Sequence, residues 1–93
     1  MTIVLLTISF IVDEAYSLKD KRRIVKSIIH KAQDRYKVSS AEVDYQDIIN
    51  QSEIAFVMVS NNYRYATTHL EKLLYFIEET YPIQINEYKL MEI

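Results

Sequence analysis

Apolar and polar residues alternate with a period of two over residues 3–12: Val4, Leu6, Ile8 and Phe10 fall on one side, Ile3, Leu5, Thr7 and Ser9 on the other. That period predicts a β-strand with one wholly apolar face. From residue 17 the period lengthens to that of a helix. Ser17 suits the N-cap and Asp20 the third helical position, and Leu18, Val25, Ile28, Ile29, Ala32 and Tyr36 share one stripe, so a first helix is expected to reach about Tyr36. Residues 38–45 alternate again, with Ala41, Val43 and Tyr45 against Ser40, Glu42 and Asp44, the pattern of an edge strand with a polar face. A polar connection with Ile48-Ile49 inside it predicts a short helical turn. Residues 53–60 are almost continuously apolar, as in a central strand. Asn61 or Asn62 caps a second helix, whose stripe is Tyr65, Ala66, His69, Leu70, Leu73, Leu74 and Ile77. Tyr81-Pro82 ends it, because the residue before proline is driven out of the α region. Residues 83–91 alternate loosely as a last strand.

The order βαββαβ joins two strand–helix–strand units, and the right-handed crossover rule leaves few topologies for it. The expected fold is α+β, a ferredoxin-like split βαβ: a four-stranded antiparallel sheet with two helices on one face, strands one and three central, in one domain over residues 1–93. The second sheet face keeps apolar groups in either register. These are Ile3 and Leu5 with Ala55, Val57 and Val59, or with Ile54, Phe56 and Met58. Such a patch is normally covered, so a homodimer through the open face is expected.

Composition removes whole classes of function. There is no glycine, where about 7 % is usual. Loops that wrap backbone N–H groups round a phosphate need residues at positive φ and close backbone approach, so Walker-type and Rossmann-type nucleotide binding is excluded. There is no cysteine, hence no disulfide, thiolate metal site or thiol nucleophile. That absence in so small a chain favours a reducing cytoplasm. Residues 1–12 are apolar but lack a preceding basic stretch and run into Asp13-Glu14, which reads as a strand and not as a signal peptide or membrane span.

Charge is distributed very unevenly. The chain carries a net −2, yet residues 17–37 hold eight Lys or Arg against two Asp, and residues 38–93 hold three basic against nine acidic residues. Lys19, Arg22, Arg23, Lys26 and His30 recur at helical spacing along the face opposite the apolar stripe, flanked by Lys21, Lys31, Arg35 and Lys37. A basic stripe of this kind suits phosphate contact, because it releases counterions condensed on a nucleic acid. The competing reading is a solvated face that complements the helix dipole and the acidic remainder. A pI near 5.6 argues against general coating of nucleic acid, and recognition of a DNA sequence is not expected.

Other candidates are weaker. Glu42, Asp44 and Asp47 gather near the end of strand two, with alternation placing Glu42 and Asp44 on one face; pairing with basic residues or solvation is favoured over a metal, since no glycine-turned loop supplies further ligands. His30 and His69 lack partners at ligand spacing, and His69 reads as a partly buried packing residue. The serines lack the setting of a nucleophile, and no metal, cofactor or catalytic residue is expected. Several of the eight tyrosines suit half-buried packing. Phe10 and Phe56 are the aromatic residues of the central strands and are expected to face the helices, which disfavours base stacking on the sheet.

The blocks Ser17-Leu18-Lys19-Asp20-Lys21-Arg22-Arg23, Ala41-Glu42-Val43-Asp44 with Gln46-Asp47, and Val59-Ser60-Asn61 resemble those of the YlxP-like family, the domain of unknown function 503. The resemblance implies a small bacterial protein with a ferredoxin-like fold and no established enzymatic activity. It also implies a ribosome or RNA connection, since such proteins are commonly encoded beside translation initiation factor two and ribosome-binding factor A. Where relatives often carry a proline- or glycine-containing turn after strand one, this chain reads Val12-Asp13-Glu14-Ala15. The expected function is therefore a non-enzymatic ribosome- or RNA-associated factor using Lys19, Lys21, Arg22, Arg23 and Lys26. Two alternatives stand beside it: a homodimeric module docking its basic helix on an acidic protein surface, and a small-molecule enzyme or sensor built at a dimer interface around Glu42, Asp44 and Asp47.

Overall fold

The computed structural model describes residues 1–93 as β1 (Thr2–Val12), α1 (Leu18–Tyr36), β2 (Ser39–Asp44), β3 (Gln51–Ser60), α2 (Tyr63–Thr80) and β4 (Ile83–Glu92). The strands form one antiparallel sheet in the order β2-β3-β1-β4, with the helices on one face. This is the ferredoxin-like α+β arrangement expected from the pattern. No helix is long and apolar enough to cross a membrane.

Local chemistry fixes the element ends. The Ser17 hydroxyl accepts the Asp20 N–H at 3.1 Å, satisfying a first-turn donor that has no partner within the helix, and Asp20 in turn accepts the N–H of Tyr16, just ahead of the cap, at 3.3 Å. Of the two asparagines, Asn62 caps α2 by accepting the Tyr65 N–H at 3.0 Å. Tyr81, with ψ at 150°, leaves the helix ahead of Pro82 as expected. At the other end of α1 the chain turns through Lys37 in the left-handed region, φ 54°. His69 Nε2 donates to the Tyr36 carbonyl at 2.7 Å, so a free acceptor of the last turn is used by α2. Glu14 and Tyr45 are left-handed too. With no glycine available, each such residue carries a steric cost of about 1 kcal/mol.

The register resolves which face of β3 meets the helices. Leu6 pairs with Phe56 and Ile8 with Ile54, so Val4, Leu6, Ile8, Phe10 and Val12 of β1 and Ile54 and Phe56 of β3 form the sheet side of the core. Val25, Ile28 and Ala32 of α1 and Ala66, Leu70, Leu73 and Ile77 of α2 close over them. Burying side chains of this size contributes about 1.5–3 kcal/mol each, and truncation of the fully buried Phe56 to alanine is expected to cost about 3–5 kcal/mol. β3 begins at Gln51, earlier than its apolar run, because Gln51 and Ser52 pair with Ile11 and Phe10. The helical turn expected at Ile48-Ile49 is instead a hydrogen-bonded turn, closed by the Ile48 N–H on the Tyr45 carbonyl at 3.1 Å.

The open face is divided. Ile3 lies opposite Val59, and Leu5 lies between Val57 and Met91, giving an apolar half in which Val59 and Met91 are exposed. The other half is polar. There Ser9 lies between Glu53 and Glu87 and donates to Glu53 at 2.8 Å.

Candidate functional site

The first half of α1 presents cations on two sides. On the outer side Lys19, Arg22, Arg23 and Lys26 are all exposed, and these four residues alone line an open depression of about 400 Å3. Their spacing spans roughly 10 Å of helix axis. No carboxylate lines the depression. Asp47, on the β2–β3 connection, comes within 3.7 Å of Arg22, but both side chains are well exposed and the pair holds weakly. His30, a turn further along, is exposed and lies outside the depression. The later cations of the helix are partly engaged: Lys31 lies over the Tyr81 ring at 5.5 Å and Arg35 over the Phe76 ring at 5.2 Å. The free positive charge is thus concentrated on the first half of the helix.

Lys21 departs from the expected phosphate-contacting set. Its side chain is fully buried and points inward, where Nζ meets Glu42 Oε2 at 2.9 Å and donates to the carbonyls of Tyr45 and of Gln46, the latter at 3.2 Å. Three acceptors use the three N–H groups of the ammonium, and this saturation is what allows a charge to sit in the interior. Glu42 is satisfied in turn by the Ser52 hydroxyl at 2.7 Å. The group joins α1, β2, β3 and the β2–β3 connection. The missed signal was positional: Lys21, Val25, Ile28 and Ala32 follow helical spacing, so Lys21 fills the gap in the apolar stripe between Leu18 and Val25.

The three candidate carboxylates lie in different surroundings. Glu42 pairs with Ile54 on the helix side of the sheet. A bulge between Glu42 and Asp44 leaves Val43 as the extra residue, so Asp44 pairs with Glu53 on the opposite face. The expectation that alternation keeps Glu42 and Asp44 together is therefore corrected. Asp47 is in solvent beside Arg22. Pairing with α1 is thus what occupies Glu42, and pairing or solvation accounts for Asp47.

His69 packs as expected, stacked on Tyr65 with centroids 5.8 Å apart and tilted against Tyr36 at 5.4 Å. Phe10 and Phe56 face the helices and are buried. The open sheet face accordingly has no aromatic group on its central strands.

A family model described as "Protein of unknown function (DUF503)" matches residues 3–90. The uncharacterized protein YlxP of Bacillus subtilis (strain 168) is 32 % identical over 68 residues, covering 73 % of this chain and 74 % of the relative. Among solved structures, the structural-genomics protein YJCS superposes over 98 % of both chains with a TM-score of 0.63 at 6 % identity, a likeness of fold alone. Matched over nearly its whole length and carrying the sheet order and helix placement described above, the chain belongs to the DUF503 family.

Proposed function

We propose that this protein is a non-enzymatic, cytoplasmic, ribosome- or RNA-associated factor that holds phosphates on the outer face of α1. The observation that carries the reading is the depression lined by Lys19, Arg22, Arg23 and Lys26 with no carboxylate among its walls. Four fixed cations in one row attract a polyanion and release its counterions, with little dependence on base sequence. Lys21 takes no part, because its ammonium is already saturated inside the fold. The helix-facing Phe10 and Phe56 support contact through the helix and not through stacking on the sheet. The apolar half of the open face, around Leu5, Val57 and Val59, supports a homodimer that leaves both basic helices outside.

Charge reversal of Lys19, Arg22, Arg23 and Lys26 to Glu is expected to abolish co-sedimentation with small ribosomal subunits at low salt; unaltered co-sedimentation refutes the reading. The same depression also suits an acidic protein surface. Nuclease treatment separates the two: an RNA-mediated association is lost on digestion, and a protein-mediated one persists. Against the enzyme or sensor alternative, Glu42 is engaged by Lys21, Asp44 lies on the opposite sheet face and Asp47 is solvated beside Arg22.

A further inference from the structure

The side of the molecule formed by α2 and the edge strand β4 carries a groove of about 540 Å3 whose chemistry is the reverse of the α1 depression. Leu74 and Ile85 are its half-buried apolar floor, the exposed rings of Tyr75 and Tyr88 stand over it, and Glu71 and Glu78 lie along its helix side. Neither glutamate has a cationic partner. Two features indicate that the groove is a built site and not an accident of surface shape. The first is the β-bulge at Asn86. Ile85 pairs with Phe10 and Tyr88 with Ile8, both on the helix side of the sheet, although they are three residues apart. Without the extra residue, Tyr88 would point to the open face; bulges commonly re-aim a side chain in this way at functional sites. The second is the edge itself. β4 pairs only with β1, so its outer row of N–H and C=O groups is free to accept another strand.

We infer that this groove binds an extended, Arg- or Lys-rich peptide segment of a partner protein, which pairs with the outer edge of β4 and places alternate basic side chains between Tyr75, Tyr88, Glu71 and Glu78. Strand addition supplies main-chain hydrogen bonds, and alternate side chains at about 6.8 Å spacing enter the groove. Tyrosine faces and unpaired carboxylates together select a cation over an apolar group. The occupant is a basic segment and not an acidic or neutral one, because Glu71 and Glu78 repel the former and stay unpaired beside the latter. The site is independent of the phosphate reading and lies on another helix, so either stands without the other.

The test is fluorescence polarisation of a labelled nine-residue peptide alternating arginine and threonine, in moderate salt, against the full chain. Tyr75→Ala with Tyr88→Ala leaves the charge unchanged and is expected to weaken binding roughly fivefold to thirtyfold. Both rings are more than half exposed, so the fold is retained, and the Tyr→Phe pair is expected to restore binding. Glu71→Gln with Glu78→Gln is expected to weaken binding by at least as much, whereas Asp34→Asn with Asp47→Asn, which removes the same charge from exposed positions away from β4, changes it less than twofold. N-methylation of alternate peptide amides abolishes strand pairing and therefore binding. The inference is overturned if the peptide does not bind. It is equally overturned if the two charge-removing pairs act alike while the tyrosine and N-methyl changes do nothing, the signature of diffuse attraction to an acidic protein.

Discussion

Lys21 and Arg22 are adjacent on one helix, yet they occupy opposite environments. Lys21 turns inward, and its ammonium is held by Glu42 and by the carbonyls of Tyr45 and Gln46. Arg22 turns outward into a depression shared with Lys19, Arg23 and Lys26, where the nearest anion is a solvated aspartate 3.7 Å away. A single count of basic residues on α1 merges two different kinds of cation. The inner one is structural, because a buried charge is tolerated only when every donor is satisfied. The outer four are available, because nothing in the fold neutralises them fully.

The largest loss of stability is expected at Lys21. Lys21→Ala leaves Glu42 nearly buried and unpaired and is expected to destabilise the protein by about 3–5 kcal/mol, measured by denaturant unfolding. Lys21→Met combined with Glu42→Met is expected to recover part of that loss, since both charges leave together and the carbonyls of Tyr45 and Gln46, in exposed residues, turn to water, while the buried Ser52 hydroxyl loses its acceptor. A double variant no more stable than Lys21→Ala contradicts the pair's assigned role. Ser52→Ala removes the second donor to Glu42 and is expected to cost about 1.5–3 kcal/mol.

Smaller effects sharpen the outer side. Lys37, a further cation of the basic segment, is constrained by its backbone and not by a charge partner. Its left-handed φ of 54° predicts that Lys37→Gly raises stability by about 0.5–1 kcal/mol, visible as a higher denaturant midpoint. Arg22→Ala and Asp47→Ala are each expected to change stability by less than about 0.5 kcal/mol, because the pair is solvated. A loss of several kcal/mol there would place Arg22 in the same structural class as Lys21.

Much of the fold was legible because its signals are local. The alternation of Val4, Leu6, Ile8 and Phe10 identified β1 and its core face, Ser17 with Asp20 set the start of α1, and Tyr81-Pro82 set the end of α2. The facing of β3 was not legible from periodicity, because a strand apolar on both sides looks the same in either register, although the expectation that Phe56 faces the helices holds. Pairing across to β1 decided it, with Phe10 opposite Ser52 and Leu6 opposite Phe56. The site was half legible. Helical spacing placed Lys19, Arg22, Arg23 and Lys26 together, and they do share one depression. It could not separate Lys21 from them without asking which residue fills the stripe between Leu18 and Val25. The bulges at Val43 and Asn86 left no trace in the pattern. Each moves a side chain to the other face, Asp44 in one case and Tyr88 in the other, through pairing with a distant strand.

The most direct test of the division is the salt dependence of binding to single-stranded RNA. With four phosphates engaged, log Kobs is expected to fall against log salt concentration with a slope of roughly −3. Replacing Lys19, Arg22, Arg23 or Lys26 singly by Gln is expected to reduce that slope by about 0.7 each. The stable Lys21→Met/Glu42→Met protein is expected to keep the full slope. A slope that is unmoved by the outer substitutions, or that falls with the Lys21 variant, contradicts the account.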